Sequence, residues 1–272
     1  MKCDLCPRKC LVDRKKGEKG ICGQTENLKV ARAALHFWEE PCISGDAGSG
    51  AVFFSGCPLH CVFCQNENIA NGTVGKEISL ERLVDIFLEL QEKRANNINL
   101  VTPGHFVPQI VKALDQARKE GLTLPVVYNT SSYETVDTIK MLEGYVDIYL
   151  PDFKYMSPVL SKKYSHAPDY AEVAKAAIAE MVRQTGKAVF VNGDEDNLIL
   201  SGTIVRHLTL PGCMADSMQI LKYRHDTYGD MIYISIMNQF TPLSNLEKYP
   251  ELNRRITDEE YETLVIMRSR SE

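Results

Sequence analysis

FSGCPLHCVFCQN, residues 54–66, sets Cys57, Cys61 and Cys64 in a Cys-x3-Cys-x2-Cys array. Three thiolates so close in sequence share one partner. Iron–sulfur clusters are held by cysteine thiolates, usually four of them. A three-cysteine loop therefore leaves one iron with an open position for an exogenous ligand, and that open position makes a cluster reactive. The alternatives fit less well: a structural zinc site closes on four ligands, and a disulfide belongs to an oxidising compartment.

The rest of the chain frames this loop. Its 272 residues suffice for one large domain, or for one domain with a small appendage. With 44% hydrophobic and 25% charged residues the composition is that of an ordinary globular protein. A net charge of −5 offers no general attraction to phosphate backbones, so nucleic acid is not an expected partner. No run of 18 apolar residues exists and the first residues, MKCDLCPRKC, do not resemble a signal peptide; no membrane association and a cytoplasmic location are expected. Nine cysteines in a reducing compartment read as metal ligands or buried thiols.

Residues 1–27 carry Cys3, Cys6, Cys10 and Cys22 among glycines and charges, with almost no apolar side chains. Such a segment cannot fold by burial, and a metal would supply the missing stability. Zinc and a second iron–sulfur cluster suit four cysteines equally by count. Residues 28–37, LKVARAALHF, predict a strand leading into a glycine-rich loop that contains His36, Glu39, Glu40 and Cys42. His36, Glu39 and Glu40 could line a site but read first as turn residues, and Cys42 reads as a buried thiol rather than a fourth cluster ligand.

From residue 50 a strand-then-helix unit repeats six times. The strands are AVFFSG, INLVT, PVVYNT, VDIYLPD, TIVRHLTLP and MIYISIM. The helices include SLERLVDIFLELQEKR, capped by Ser79, and HFVPQIVKALDQARKEG, ended by Gly121. This alternation predicts a parallel sheet with right-handed crossovers, and the near-continuous apolar strands predict cover on both faces. A complete eight-unit barrel takes about 250 residues, so six units predict an incomplete barrel, open along one side. The expected organisation is a cysteine-rich segment with lead-in strand over 1–45, an α/β core over 46–242 and a C-terminal tail with a helix over 243–272. In such folds chemistry sits at the carboxyl ends of the strands, where the polar motifs of this chain fall. No GxxxxGK[ST], strand-borne GxGxxG or HExxH motif is present.

The cysteine spacing, with Phe63 before the last cysteine, resembles the radical S-adenosylmethionine (radical SAM) superfamily. The stretches CDLCPRKC, EEPCISGDAGSGAVFFSGC, NINLVTPGHFVPQI, LPVVYNTSSYE, VDIYLPDFKY and IVRHLTLPG resemble its PflX-type members, relatives of the pyruvate formate-lyase activating enzyme. The resemblance implies a partial (β/α)6 radical SAM barrel and a 4Fe-4S cluster on Cys57, Cys61 and Cys64, with S-adenosylmethionine chelating the fourth iron. It also implies reductive cleavage to a 5′-deoxyadenosyl radical, an electron donor such as flavodoxin or ferredoxin, and a polypeptide substrate bearing a glycine. After the second strand, where such enzymes commonly carry Gly-Gly-Glu, this chain has TPGH and lacks the glutamate; carbonyls of Thr102 to Gly104 would meet the methionine ammonium. Asn129, Thr130 and Ser131 would contact ribose or methionine. Asp152 and Lys154 resemble the Asp-x-Lys of activating enzymes, the lysine facing a carboxylate and the aspartate helping to hold a monovalent cation. Arg206, His207, Gln239 and Thr241 would border the adenosyl group.

Two other classes remain open: an iron–sulfur redox or metal-sensing protein that does not cleave S-adenosylmethionine, and, less favoured by the acidic charge, a zinc-dependent RNA-binding protein. Pure electron carriers normally close the cluster with four ligands, which counts against the former.

Overall fold

The computed structural model describes residues 2–194, 197–244 and 246–269. After an irregular cysteine-rich segment come β1 (Lys29–His36), one turn of helix α1 (Pro41–Ser44), β2 (Ser49–Phe54), a second single turn α2 (Glu67–Ala70) and the short β3 (Lys76–Glu77). The repeat continues with α3 (Leu80–Glu92), β4 (Ile98–Val101), α4 (Val107–Lys119), β5 (Val126–Thr130), α5 (Val136–Lys140), β6 (Ile148–Pro151), α6 (Pro158–Ser165) and α7 (Tyr170–Thr185). It ends with β7 (Val189–Phe190), β8 (Ile199–Leu208), α8 (Met214–Tyr228), β9 (Tyr233–Met237) and α9 (Asp258–Ser269).

The sheet runs β3-β1-β2-β4-β5-β6-β8-β7, with β9 also paired to β8. β2, β4, β5, β6, β8 and β9 are parallel, the six strands expected from the repeat, while β1, β3 and β7 are antiparallel additions. Among the described residues no ladder joins β9 back to β1 or β3, so the barrel stays open.

Local chemistry explains the helices. Ser79 accepts the Arg82 amide at 3.1 Å to cap α3, which buries Leu83, Val84, Phe87 and Leu90. After α4, Gly121 adopts φ +104°, a turn that only glycine makes without strain. In the stretch SYETVDTIKMLEG, residues 132–144, the helix is confined to α5, capped at its start by Thr135 and ended after Lys140. α6, which the sequence repeat did not require, begins at Ser157 and Pro158, a cap followed by proline at the first helical position.

β5 and β6 are buried along their whole length. On one face Val126, Tyr128 and Tyr149 pack under the helices in the main core; on the other Val127, Ile148, Leu150 and Ile204 form a second cluster around Ile43 of α1. α1 therefore plugs the apolar end of the barrel interior. Continuing two residues at a time along the same strands, 127 to 129, 150 to 152 and 204 to 206, that interior face changes from apolar to polar.

Candidate active site

The polar layer consists of Asn129, Asp152 and Arg206, joined by Glu39 from the loop before α1. Arg206 donates to Asp152 Oδ1 at 2.9 Å, Glu39 Oε2 at 2.9 Å and Asn129 Oδ1 at 2.6 Å. Lys154 Nζ donates to Asp152 Oδ2 at 2.6 Å. Burial alone would raise the Asp152 carboxyl, but Lys154 and Arg206 outweigh it and hold the group below its ordinary value. Burial would likewise neutralise Lys154, yet the charges of Asp152 and Cys61 keep it protonated. Glu39 behaves differently: its burial prevails over Arg206 and raises its carboxyl. Both oxygens of Asp152 are thus engaged by side-chain cations.

Above this layer lies a cavity of about 190 Å³ lined by Cys57, Cys61 and Cys64 together with Thr102, Asn129, Ser131, Asp152, Lys154 and Arg206. Each predicted group on β4, β5, β6 and β8 thus meets the cysteine loop except Gly104 and His207. His207 is buried, its ring nitrogens 2.8 Å from the Phe153 carbonyl and the Ser217 hydroxyl, where burial lowers its pKa to about 4. Gln239 and Thr241 are exposed; Gln239 reaches only the loop's flank, its carbonyl accepting from Gln65 at 3.4 Å. Neither is among the residues that line the cavity.

The loop is built to hold sulfur. His60 takes φ +48°, turning the chain between Cys57 and Cys61. The Ser165 hydroxyl donates to the Cys61 sulfur at 2.9 Å, and the backbone amides of Leu59 and His60 near Cys57 and of Asn66 near Cys64 favour the charged form of those thiols. Burial pushes the Cys57 thiol up to about 12 and raises Cys61 and Cys64, so these thiols are costly to ionise unless a metal shares the charge. Three inward thiols, hydrogen-bond donors aimed at them and a polar cavity beside them fit a three-cysteine 4Fe-4S cluster with room for a ligand.

Thr102 adopts φ +55°, rare for a β-branched residue and a conformation that concentrates at functional sites. The Pro103 carbonyl is taken up by the Phe106 amide in a tight turn. A glutamate does approach this stretch from elsewhere in the chain. Glu134, from the loop after β5, brings its carboxylate against Gly104, where a Cβ would lie 2.5 Å from Oε1. Burial raises Glu134 to about 7, opposed by the hydroxyls of Thr130 and Tyr128. Glu39 reads in the sequence first as a turn residue that could line a site, whereas Glu134 does not stand out there, since nothing in spacing marks a carboxylate that arrives from a neighbouring loop.

The Radical SAM superfamily pattern matches residues 51–196. The chain belongs to the radical SAM superfamily. It is therefore a radical SAM enzyme, of a class that works with a 4Fe-4S cluster, S-adenosylmethionine and an electron donor. The chain is 27% identical over 266 residues to an uncharacterized protein of Methanocaldococcus jannaschii, covering 96% of this chain and 72% of that one. In fold it is similar to methylornithine synthase (PylB), with TM-score 0.53, 14% identity and 79% of this chain covered. It is also similar to HydG, a maturase of the [FeFe]-hydrogenase, with TM-score 0.51, 14% identity and 78% covered. The chain spans 60% and 46% of those two longer proteins. Among the described residues no helix is long and apolar enough to cross a membrane.

Proposed function

We propose that this radical SAM enzyme holds its cluster on Cys57, Cys61 and Cys64 and takes a hydrogen atom from a glycine-bearing polypeptide, as the activating enzymes that PflX-type chains resemble do. The observation that supports this reading is the single cavity in which the three thiols meet polar groups from four successive parallel strands. When bound, the cluster and S-adenosylmethionine supply the reducing electron and the hydrogen-abstracting radical. The chain's own groups bind and orient. Lys154, held by Asp152, offers an ammonium to a carboxylate of the methionine or the substrate. Ser131 offers a hydroxyl to ribose or methionine, Asn129 an amide that it shares with Arg206 and Glu39, and the Thr102 carbonyl would accept from an ammonium. Arg206, saturated by Asp152, Glu39 and Asn129, fixes their positions.

One observation favours a second substrate. The lateral opening is flanked by chain: Phe240 packs on Phe63 with ring centroids 6.1 Å apart, and Tyr164 donates to Glu251 at 2.6 Å. On the other flank Arg8 donates to the carbonyls of Pro58 and Ser165. These covers suit an enclosed small molecule better than a long extended peptide. Deuterium separates the two: label passing into 5′-deoxyadenosine from candidate proteins supports the polypeptide, and label passing only from small-metabolite fractions overturns it.

A further inference from the structure

The N-terminal segment and the first turns of α4 enclose a cavity of about 250 Å³, larger than the one beside the cysteine loop and sharing no lining residue with it. The proposed chemistry does not use it. The charges on its wall do not balance: Lys2, Arg14, Lys15 and Lys112 line it against the carboxylates of Asp4 and Glu26, four cations to two anions. Lys15 pairs with Glu26 at 4.0 Å, while Lys2, Lys112 and Asp4 form no ion pair among the described residues.

Arg14 sets the first requirement on an occupant. The residue is only 7% exposed, yet no carboxylate pairs with it among the described residues. Its guanidinium donates to the carbonyls of Thr25 and His105 and lies 5.4 Å from the centre of the Phe106 ring. Those partners are neutral, and they take three of its five N–H groups. A buried cation is costly unless an anion shares its site, so the cavity that Arg14 lines suits an anion.

Gln109 sets the second. Its Nε2 donates to the Glu26 carbonyl at 2.8 Å, whereas its Oε1 is buried with no hydrogen-bond partner among the described residues. An unmet buried acceptor is destabilising, and a hydroxyl on the occupant would meet it. Leu5 and Pro108 complete the wall with apolar surface for a short carbon skeleton. The segment itself gains from any occupant, because Arg14, Cys22 and Gln24 are its buried residues among 2–27 and none is a large apolar side chain.

We propose that this cavity binds a small dianion bearing a hydroxyl, a hydroxydicarboxylate or a hydroxylated phosphate ester, and that its occupancy orders residues 2–26 against α4. Two negative charges match the excess of two cations on the wall. Arg14, Lys2 and Lys112 take the acid groups, and Gln109 Oε1 accepts from the hydroxyl. The ligand binds the ordered segment alone and so stabilises it by mass action. No bond is made or broken.

Calorimetric titration of anaerobically reconstituted protein tests this, with S-adenosylmethionine in excess to fill the other cavity. The probes are two pairs, L-malate with succinate and glycerol 3-phosphate with propyl phosphate, the second of each pair lacking the hydroxyl. L-malate or glycerol 3-phosphate should bind, and whichever does identifies the acid group; binding of neither at about 10 mM overturns the site. The hydroxyl-free partner should bind about tenfold more weakly, and Gln109→Leu should abolish that preference; equal binding of the pair by wild type overturns the hydroxyl requirement. Lys2 and Lys112 are exposed, so Lys2→Glu/Lys112→Glu protein keeps the fold, and its affinity for the bound probe should fall about tenfold. Unchanged affinity there overturns the site. The bound probe should also slow proteolysis within residues 1–27 of wild type, and binding without that protection overturns the ordering role. None of these readouts depends on cleavage of S-adenosylmethionine.

Discussion

Two groups of cysteines share the strand-end region, and they are supported in opposite ways. Cys57, Cys61 and Cys64 hang from β2, whose residues are almost all buried and whose neighbours carry the charge layer beneath the cavity. Cys3, Cys6, Cys10 and Cys22 sit on a segment in which Arg14, Cys22 and Gln24 are the buried residues among 2–27, and which has no helix beyond one tight turn at Arg14–Lys16. It is tied down by polar threads: Leu5's carbonyl accepts from Thr138 at 2.6 Å, Arg14 donates to the carbonyls of Thr25 and His105, and Arg8 spans Pro58 and Ser165. A hydrophobic scaffold preorganises the first group; the second depends on whatever its thiols bind.

The largest expected effect breaks the scaffolded site from below. Arg206→Met leaves Glu39 buried without a cation and Asp152 with Lys154 alone, and should cost about 3–5 kcal/mol in denaturant unfolding, with the N-terminal segment's protease resistance lost only as the whole fold is lost. A cost under about 1 kcal/mol would mean that the layer is not a structural base for the cavity.

Acid should act on the same region. His207 is neutral in the fold because burial lowers it to about 4, while an unfolded histidine titrates near 6.5. The unfolded chain then binds the extra proton between those values, so stability is full above pH 6.5 and falls, on the order of 3 kcal/mol, as pH drops toward 4. Thermal melts of apoprotein across that range should show the fall; His105, buried and lowered to about 3, adds one of the same sign, so His207→Gln should reduce the slope by roughly half, and an equal slope in the variant would remove His207 as a cause.

Smaller effects belong to the N-terminal segment. Arg8→Ala should cost about 1–2 kcal/mol and expose the segment to limited proteolysis while the barrel's melt changes little. Smaller still in global stability, metal removal or Cys6→Ser should shift unfolding by under about 1 kcal/mol yet speed cleavage within residues 1–27. Unchanged cleavage after metal removal would show that both groups are scaffold-supported and dissolve the contrast.

The sequence carried the barrel because its signals are local and repeated: six apolar strands, capped helices, and glycine at position 121. It also carried the cavity wall, since residues following strand ends must gather at one end of a parallel sheet. It could not carry Glu39 or Glu134, whose roles arise from loop paths across the interior, and Glu39 reads as an ordinary turn residue until Arg206 is found 2.9 Å away.

The most direct test of the account is anaerobic turnover by reconstituted protein with dithionite and S-adenosylmethionine. The account predicts that wild type forms 5′-deoxyadenosine and methionine, and that Cys57→Ala/Cys61→Ala/Cys64→Ala protein, folded by circular dichroism, forms neither. Cleavage retained by that variant, with a cluster signal like that of wild type, would contradict it.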